Sequence, residues 1–282
     1  MNASNGRRAL IFAALCAGSL LMIGPFVWAI GTSLKIPAEV FASPPQFIPR
    51  PFTLEGYKDV VTVLPFPRYL LNSIIVSVSI VALNVVFGTA AAYAFAKLHF
   101  PGRNFLFGAL LVTLMVPFQV NLIPLYRIMV ELHKISPVIG VDTYFGLIAP
   151  SAVQVFGIFL MRQYISTIPD SILESARLDG ASEMRILRTI IFPLARPAVA
   201  TLAIFTFVTA WNDFLWPLII TNSESMRTLP VGLAMLSRKN SVNWTDTMAG
   251  TVLTILPMLL VFAVLQRRFI EGLTAGAVKG SG

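Results

Sequence analysis

Six stretches of 19 to 27 residues in this chain are predominantly apolar and nearly free of charge. Of the 21 basic and 13 acidic residues, only Asp213 falls inside them. A helix of about 20 apolar residues crosses a hydrocarbon core of about 30 Å, and runs this long do not alternate as barrel strands do. The sequence therefore predicts an all-α membrane protein with six transmembrane helices. These spans are Ala9–Ile30, Leu70–Ala96, Asn104–Tyr126, Thr143–Met161, Ala198–Ile220 and Thr247–Gln266.

The composition agrees with this prediction and excludes other classes of protein. Charged residues make up 12% of the chain and hydrophobic residues 56%, whereas a soluble domain carries roughly 25% charged residues. An ordinary soluble enzyme and a nucleic-acid-binding tail are thereby excluded. Cys16 is the one cysteine, so there is no disulfide framework or zinc cluster. The first span follows Arg7 and Arg8, but it exceeds the apolar region of a signal peptide, and we expect it to be retained.

The basic residues in the connections predict the orientation, because Lys and Arg are enriched in cytoplasmic loops. One set of connections holds 12 basic residues in 67 positions and the other holds nine in 81. We therefore expect both termini to be cytoplasmic and interpret the net charge of +8 as mostly a topology signal. The first set is 1–8, 97–103, 162–197 and 267–282, and the second, outer set is 31–69, 127–142 and 221–246. The outer loop 31–69 is rich in proline, which predicts non-helical structure apart from a turn of helix at 54–60.

The inner connection 162–197 is helical in pattern and polar on one face. Ser171 and Glu174 have the spacing of a capping box, and Gly180 fits the left-handed position that follows a helix C-terminus. This pattern predicts a helix of about nine residues. Because a helix of that length is not stable alone in water, it must dock on something.

A second amphipathic stretch follows at 182–192. We expect its apolar side to consist of Met184, Leu187 and Ile191, and its end to be set by Pro193 and Pro197. Two interpretations of the loop stay open, a helix pair on the lipid headgroups and a helix that docks on another protein. Small side chains that allow close approach favour docking; they are Ser175, Ala176, Gly180 and Ala181.

The spacing of residues in this loop resembles the EAA loop of ATP-binding-cassette importer permeases. In that pattern Glu-Ala-Ala is followed by three residues, Gly, nine residues and Ile-x-Leu-Pro. The matching positions here are Glu174, Ala176, Gly180, Ile190 and Pro193. Ser175 replaces an Ala of the pattern and Phe192 replaces the Leu, and both changes are mild in size.

Other stretches resemble the carbohydrate-uptake branch of this family, and the tail is similar to the smaller permease subunit of maltose-type sugar transporters. These stretches are Trp28–Lys35, Leu71–Ser77, Trp211–Pro217 and Gln266–Gly280. The resemblance implies a type I importer transmembrane domain with a cytoplasmic coupling (EAA) helix, in the bacterial plasma (inner) membrane. It also implies the domain division: an N-terminal helix with its outer loop at 1–69, a core domain at 70–266, and a cytoplasmic tail at 267–282.

The resemblance further implies a carbohydrate importer that works by alternating access, in which this chain forms half of the pathway. The implied partners are a second permease, two copies of an ATP-binding subunit and an extracytoplasmic sugar-binding protein. ATP and Mg would be bound by the ATPase partners, with no cofactor and no catalytic residue on this chain.

Specific residues of this chain take on roles through the resemblance. The residues implied to couple this chain to the ATPase are Glu174, Ser175, Ala176, Asp179, Gly180 and Pro193. Glu174 would pair with a basic group of the ATPase, and Ala176 and Gly180 would permit close seating. The tail would lie at the ATPase interface through Gly272, Gly276 and Lys279, with a disordered terminus as the alternative. The tail lacks the spacing of a phosphate loop, so we do not expect it to bind ATP.

Asp213 is the one charge within a span, which makes it a candidate for the sugar pathway or a gate. The alternative is structural: it reaches the membrane interface or caps a helix. Further candidates are the amides Asn84, Gln119, Asn121 and Asn212, each of which could instead hydrogen bond between helices. By resemblance the outer loop 221–246 would contact the binding protein through Arg238, Lys239 and Asn240, and the alternative is a solvated basic tip.

Two other classes of function compete with the importer. A self-contained secondary transporter or channel would be expected to bury several ionisable residues for ion coupling, and it would leave the long inner loop unexplained. An intramembrane enzyme would need a nucleophile and a base, and the sequence offers no candidate pair. Co-purification with an ATPase and a second permease would separate these possibilities.

Overall fold

The computed structural model describes residues 3–44, 46, 48–239 and 243–277. These residues form helices and no strand, which confirms the all-α prediction. Two five-residue π-helical turns lie at Asn84–Gly88 and Leu187–Ile191. The α-helices are α1 (Ala3–Ser33), α2 (Glu55–Val63), α3 (Phe66–Leu83), α4 (Thr89–Lys97), α5 (Arg103–Thr113), α6 (Phe118–Ile135), α7 (Tyr144–Ile148), α8 (Val155–Ile165), α9 (Asp170–Leu178), α10 (Glu183–Ile186), α11 (Phe192–Leu194), α12 (Arg196–Trp211), α13 (Leu215–Ile220), α14 (Leu229–Lys239) and α15 (Trp244–Ala277).

The chain divides into two compact units. The first comprises the described residues up to Pro67 together with Gly232–Pro257. Within it, the hydroxyls of Ser33 and Tyr57 are hydrogen bonded at 2.8 Å. The second comprises Arg68–Val231 and the described residues from Met258 onward, and it holds the whole of the 162–197 loop.

Three helices are long and apolar enough to cross a membrane: Gly6–Ser33, Phe66–Lys97 and Trp244–Val264. They correspond to the first, second and sixth predicted spans. Most of the described side chains of α1 are exposed, including Phe12 and Leu21. Apolar exposure on this scale is unfavourable in water and typical of a surface that faces lipid or another subunit.

The other three predicted spans overlap bent helix pairs, and in the third pair the bend precedes the predicted span 198–220. The pair α5 and α6 is bent by 97°, the segment 144–151 and α8 by 45°, and the segment 183–194 and α12 by 81°. A proline lies at or beside each break, at Pro117, Pro150 and Pro197. Proline has no N–H to continue the helical ladder. The described residues thus hold three candidate spans, or up to six if each bent pair is one span.

Several helix ends differ from the prediction. The third span was expected to end at Tyr126, but α6 continues to Ile135. The fifth was expected to run unbroken to Ile220, but α12 ends at Trp211 and a separate short helix, α13, follows. The connections predicted to be outer loops hold more helix than expected, because α2 has nine residues and α14 has 11.

A buried core joins the 162–197 loop to the helices of the second unit. Leu173, Ile186 and Ile191 are at most 1% exposed, and they belong to one cluster with Met161 and Ile165 of α8. The loop is therefore packed against the helices and does not hang free of them. A second cluster of this unit surrounds Trp216, and it also contains Val76, Ile80, Met129, Leu147 and Ile220.

Candidate functional site

The short helix α9 has the length and the C-terminal turn that the sequence predicts. It spans nine residues, Asp170–Leu178. Gly180 has φ +81°, and its N–H donates to Arg177 O at 3.0 Å, while Ala181 N–H donates to Ala176 O at 2.9 Å. These two bonds form a Schellman motif, in which a left-handed glycine satisfies the last carbonyls of a helix.

The predicted capping box at the start of α9 is wrong. The N-cap is Pro169, with no side-chain capping bond. Because the helix begins two residues earlier than the capping box requires, Ser171 lies inside the first turn, where its carbonyl accepts from the Ser175 hydroxyl at 2.9 Å. A serine cap does occur at the next helix, where Ser182 Oγ accepts from Arg185 N–H at 3.4 Å.

Lys97, the last residue of α4, is bonded to the start of α9. Its Nζ donates to Ile168 O at 2.5 Å and to Asp170 Oδ1 at 2.7 Å. The Lys97 side chain is only 5% exposed, whereas that of Asp170 is 71% exposed. The hydrogen bond and the positive charge of Lys97 hold the pKa of the Asp170 carboxyl below its usual value.

A second polar cluster lies at the other end of α9. Arg177 Nε donates to Glu183 Oε1 at 2.8 Å and its Nη2 donates to Oε2 at 3.3 Å. The buried Tyr93 of α4 donates its hydroxyl to the same carboxylate. The pKa of Arg177 is raised because the Glu183 carboxylate accepts its hydrogen bonds. The turn at Gly180 therefore lies between Arg177 and Glu183, whose side chains are bonded to each other.

The apolar residues of the loop divide between two faces, and one prediction about them is wrong. Leu187 and Ile191 are buried as expected, but Met184 is 55% exposed and Ile186 takes its place in the core. The π-helical turn at Leu187–Ile191 explains the difference, because it shifts the regular helical phase. On the opposite, exposed face, Leu178 is 89% exposed.

The residues predicted to couple to an ATPase lie within this loop. Ala176 is half-buried and packs against the core. Pro193 lines a groove of about 410 Å³ at the bend before α12, together with Arg188, Phe192 and Arg196. Exposed positions are Glu174, Ser175, Asp179 and Gly180. The loop thus presents a polar, small-residue surface, and the roles of these residues stay predictions.

The predicted sugar-pathway residues lie on separate elements. Asn84 is fully buried in the π-helical turn that joins α3 and α4. Gln119 and Asn121 are exposed in the first turns of α6. Asn212 and Asp213 follow the end of α12, where Asn212 Nδ2 donates to Val208 O at 2.8 Å. Their role in transport stays a prediction.

Asp213 lies at the break before α13. The backbone N–H groups of Leu215 and Trp216 stabilise its carboxylate. Backbone N–H groups in the first turn of a helix lack partners within it, so a carboxylate there satisfies them. The indole of Trp216 donates to Gly146 O at 2.9 Å and ties α13 to α7.

Sequence reasoning missed a polar network that holds the segment before α14. Asn72 Nδ2 donates to Ser225 O and to Arg227 O, both at 2.8 Å, and its Oδ1 accepts from the Tyr144 hydroxyl at 2.7 Å. Asp142, which has φ +59°, accepts from two further backbone N–H groups of this segment at 2.9 and 3.0 Å. The signal in the sequence was Asn72, an amide inside an apolar run.

The remaining candidates fall partly outside the described residues. Arg238 and Lys239 are the last residues of α14, and Asn240 lies outside the described part of the chain. The backbone of α15 is helical through Gly272 and Gly276, and Lys279 lies outside the described part. Within the described ranges, no group of three or more His, Cys, Asp or Glu side chains could hold a metal ion.

Comparisons with known proteins identify the family. The pattern of the family described as "Binding-protein-dependent transport system inner membrane component" matches residues 84–274. The arabinooligosaccharides transport system permease protein AraQ of Halalkalibacterium halodurans is 38% identical over 235 residues, which cover 83% of this chain and 82% of that protein. The sn-glycerol-3-phosphate transport system permease protein UgpE of Brucella abortus is 31% identical over 268 residues, or 92% of this chain and 93% of that protein.

A solved structure agrees with the relatives. A chain of a bacterial ABC transporter involved in the import of the acidic polysaccharide alginate superimposes with a TM-score of 0.80 at 26% identity. The match covers 95% of this chain and 99% of that one. Since the family pattern matches well over half of the residues, the chain belongs to the binding-protein-dependent transport system inner membrane components, with the type I ABC importer fold.

Proposed function

We propose that this chain is a permease subunit of an ATP-binding-cassette importer and forms half of the translocation pathway for a carbohydrate. The names of its relatives support this substrate class, because arabinooligosaccharides, glycerol phosphate and alginate all carry two or more hydroxyl groups. The chain supplies no catalysis, since ATP with Mg is hydrolysed on partner ATPase subunits. The pathway opens alternately to the two sides as those subunits close and separate.

The docked loop 162–197 is the observation that carries this proposal. A nine-residue helix is unstable alone in water, yet α9 is fixed by a buried leucine, a Schellman turn and two polar clusters. It keeps Glu174, Ser175 and Asp179 exposed. Such a rigid surface can receive a partner and transmit its movement. In this proposal α9 is the coupling helix, and Glu174 meets a basic group of the ATPase.

The assembly and topology follow from the same proposal. The partners are a second permease, two ATP-binding subunits and an extracytoplasmic sugar-binding protein. The chain crosses the bacterial inner membrane six times, and the 162–197 loop and both termini lie in the cytoplasm. Residues 70–266 form the core domain, and the tail from 267 lies beside the ATPase. Arg238, Lys239 and Asn240 face the binding protein.

Reconstitution tests the proposal directly. An ATPase and a second permease should co-purify with the chain from its native membrane. In proteoliposomes, carbohydrate uptake should require ATP on the side of the loop. Glu174→Lys should reduce uptake per ATP hydrolysed while the subunits still insert. The matched control is Glu131→Lys, at an exposed position of α6, which should transport normally.

Two outcomes would contradict the proposal. Uptake by a homo-oligomer of this chain without ATP would identify a secondary transporter or a channel. A wild-type ratio of uptake to ATP hydrolysis in the Glu174→Lys variant would show that α9 does not form the ATPase interface.

A further inference from the structure

We propose that Tyr93 and Lys97 are positioning residues that fasten both ends of α9 to α4, so that the second span receives the movement of the coupling helix. The proposal rests on the proposed function and deepens it. The two residues are four positions apart at the end of α4, and residues at this spacing share one face of a helix. Lys97 is bonded to the start of α9, and Tyr93 is bonded to Glu183, which in turn is bonded to Arg177 in the last turn of α9.

Lys97 fixes the N-terminal end. Its ammonium group bonds to the carbonyl of Ile168, just before α9, and to the carboxylate of Asp170, the first helical residue. Removing a charge from water is costly unless partners replace the lost hydration. With 5% exposure, Lys97 depends on these two bonds, and they resist displacement of α9 from α4.

Tyr93 fixes the C-terminal end. Its hydroxyl and the Arg177 guanidinium bind the same carboxylate, that of Glu183. Arg177 lies in the last turn of α9, and Glu183 begins the next helix. The bond from Tyr93 therefore holds the turn at Gly180 against α4. Leu173 and Ile186 pack in the same buried cluster as Ala92 and Tyr93, which supports the two polar anchors.

The covalent connections of the loop are less suited to transmit force. Before α9 the chain leaves the helical conformation at 166–169, and near the end of the loop the chain bends by 81° at Ala195. A few residues at the ends of elements can absorb a large rotation as a hinge. Movement of α9 should therefore reach α4, through bonded and packed contacts, more directly than it reaches the helices on either side in sequence.

The test uses the complete importer, with its ATPase and binding protein, in proteoliposomes. Tyr93→Phe removes one hydroxyl and Lys97→Met removes the ammonium group. A hydrogen bond to a charged group shifts an equilibrium by about tenfold or more, so each variant should lower carbohydrate transported per ATP by about tenfold while ATP hydrolysis continues. Lys134→Met is the matched control, because Lys134 is an exposed lysine paired with Glu131. In this variant the carbohydrate transported per ATP should stay at the wild-type value.

A double variant separates positioning from general destabilisation. If Tyr93 acts through Glu183, Tyr93→Phe combined with Glu183→Gln should have no larger effect on the transport ratio than Glu183→Gln alone. Additive losses would contradict the anchor. A wild-type ratio in Tyr93→Phe would overturn the proposal even if Lys97→Met failed to assemble. Absence of ATP-dependent uptake in the wild type would instead refute the proposed function.

Discussion

Asn84 Oδ1 accepts a hydrogen bond from the backbone N–H of Gln154 at 2.7 Å, at the break between α7 and α8. The same amide donates to Ser151 O at 2.7 Å and to Ile80 O at 3.0 Å. A broken helix at membrane depth is tolerated only where its freed backbone groups find partners. Asn84 supplies them from a π-helical turn in the neighbouring span, so two irregular segments stabilise each other.

The first prediction concerns this contact. Asn84→Leu leaves a part-buried N–H and a part-buried carbonyl of the break without their partner. Each such group costs about 1–3 kcal/mol, so the thermal midpoint of the detergent-solubilised importer should fall by several degrees. Asn121→Leu is the control, since Asn121 is exposed, and surface substitutions change stability by about 0.5 kcal/mol or less. Equal losses in both variants would contradict a bridging role for Asn84.

The breaks in the spans also show the limit of what the sequence predicts. Charge-free runs located the apolar segments, because transfer of charge into lipid is costly whatever the fold. Proline did not locate the bends. Pro25 and Pro257 lie inside long helices, whereas Pro117 lies at a sharp break. The difference depends on tertiary partners for the freed backbone groups, and these come from residues distant in sequence, such as Asn84.

The loop 162–197 shows the same division between local and distant signals. The length of α9 and the role of Gly180 were predictable because a helix end is a local matter of backbone conformation. The pairing of Lys97 with Asp170 joins residues 73 positions apart, and no local pattern indicates it. Met184 was placed wrongly because a π-helical turn changes the period on which the prediction rests.

The second prediction concerns Gly180. Nothing lies within 4 Å of a Cβ built there, so Gly180→Ala meets no clash. Its φ of +81° nevertheless costs an L-residue about 1–2 kcal/mol. Hydrogen exchange at the amides of α9 should therefore become faster and transport per ATP should fall. Gly108→Ala is the control, because Gly108 is helical and equally unobstructed; it should be neutral or slightly stabilising. Unchanged exchange in Gly180→Ala would contradict the Schellman turn.

The third prediction is a pH dependence of the Lys97–Asp170 pair. The hydrogen bond and charge of Lys97 lower the pKa of Asp170 below 3.8 in the folded protein. The pair therefore stabilises the fold fully above this unfolded value, and its contribution is lost as the pH falls through the lower, folded pKa. Asp170→Asn should lower the thermal midpoint at pH 7, and the difference from wild type should shrink below pH 3.8.

A comparison in the Lys97→Met background checks the source of this effect. Without the ammonium group, Asp170→Asn should have little effect on the thermal midpoint at either pH. A pH-dependent difference of the same size in both backgrounds would assign the effect to another group.

The fourth prediction decides between the two roles of Asp213. If it caps α13, an acceptor matters more than a negative charge, and asparagine caps nearly as well as aspartate. Asp213→Asn should then keep both the thermal midpoint and the KM for carbohydrate uptake. Asp213→Leu leaves the N–H groups of Leu215 and Trp216 without their acceptor and should cost about 1 kcal/mol or more.

If Asp213 instead lies in the transport pathway, a different result is expected. A carboxylate that binds sugar hydroxyls accepts charge-assisted hydrogen bonds, which are roughly twice as strong as neutral ones. Asp213→Asn would then raise KM severalfold while leaving the thermal midpoint unchanged. Since α13 is tied to α7 through Trp216 and Gly146, loss of the cap should instead lower the thermal midpoint. We therefore expect the leucine variant to lose stability and the asparagine variant to transport normally.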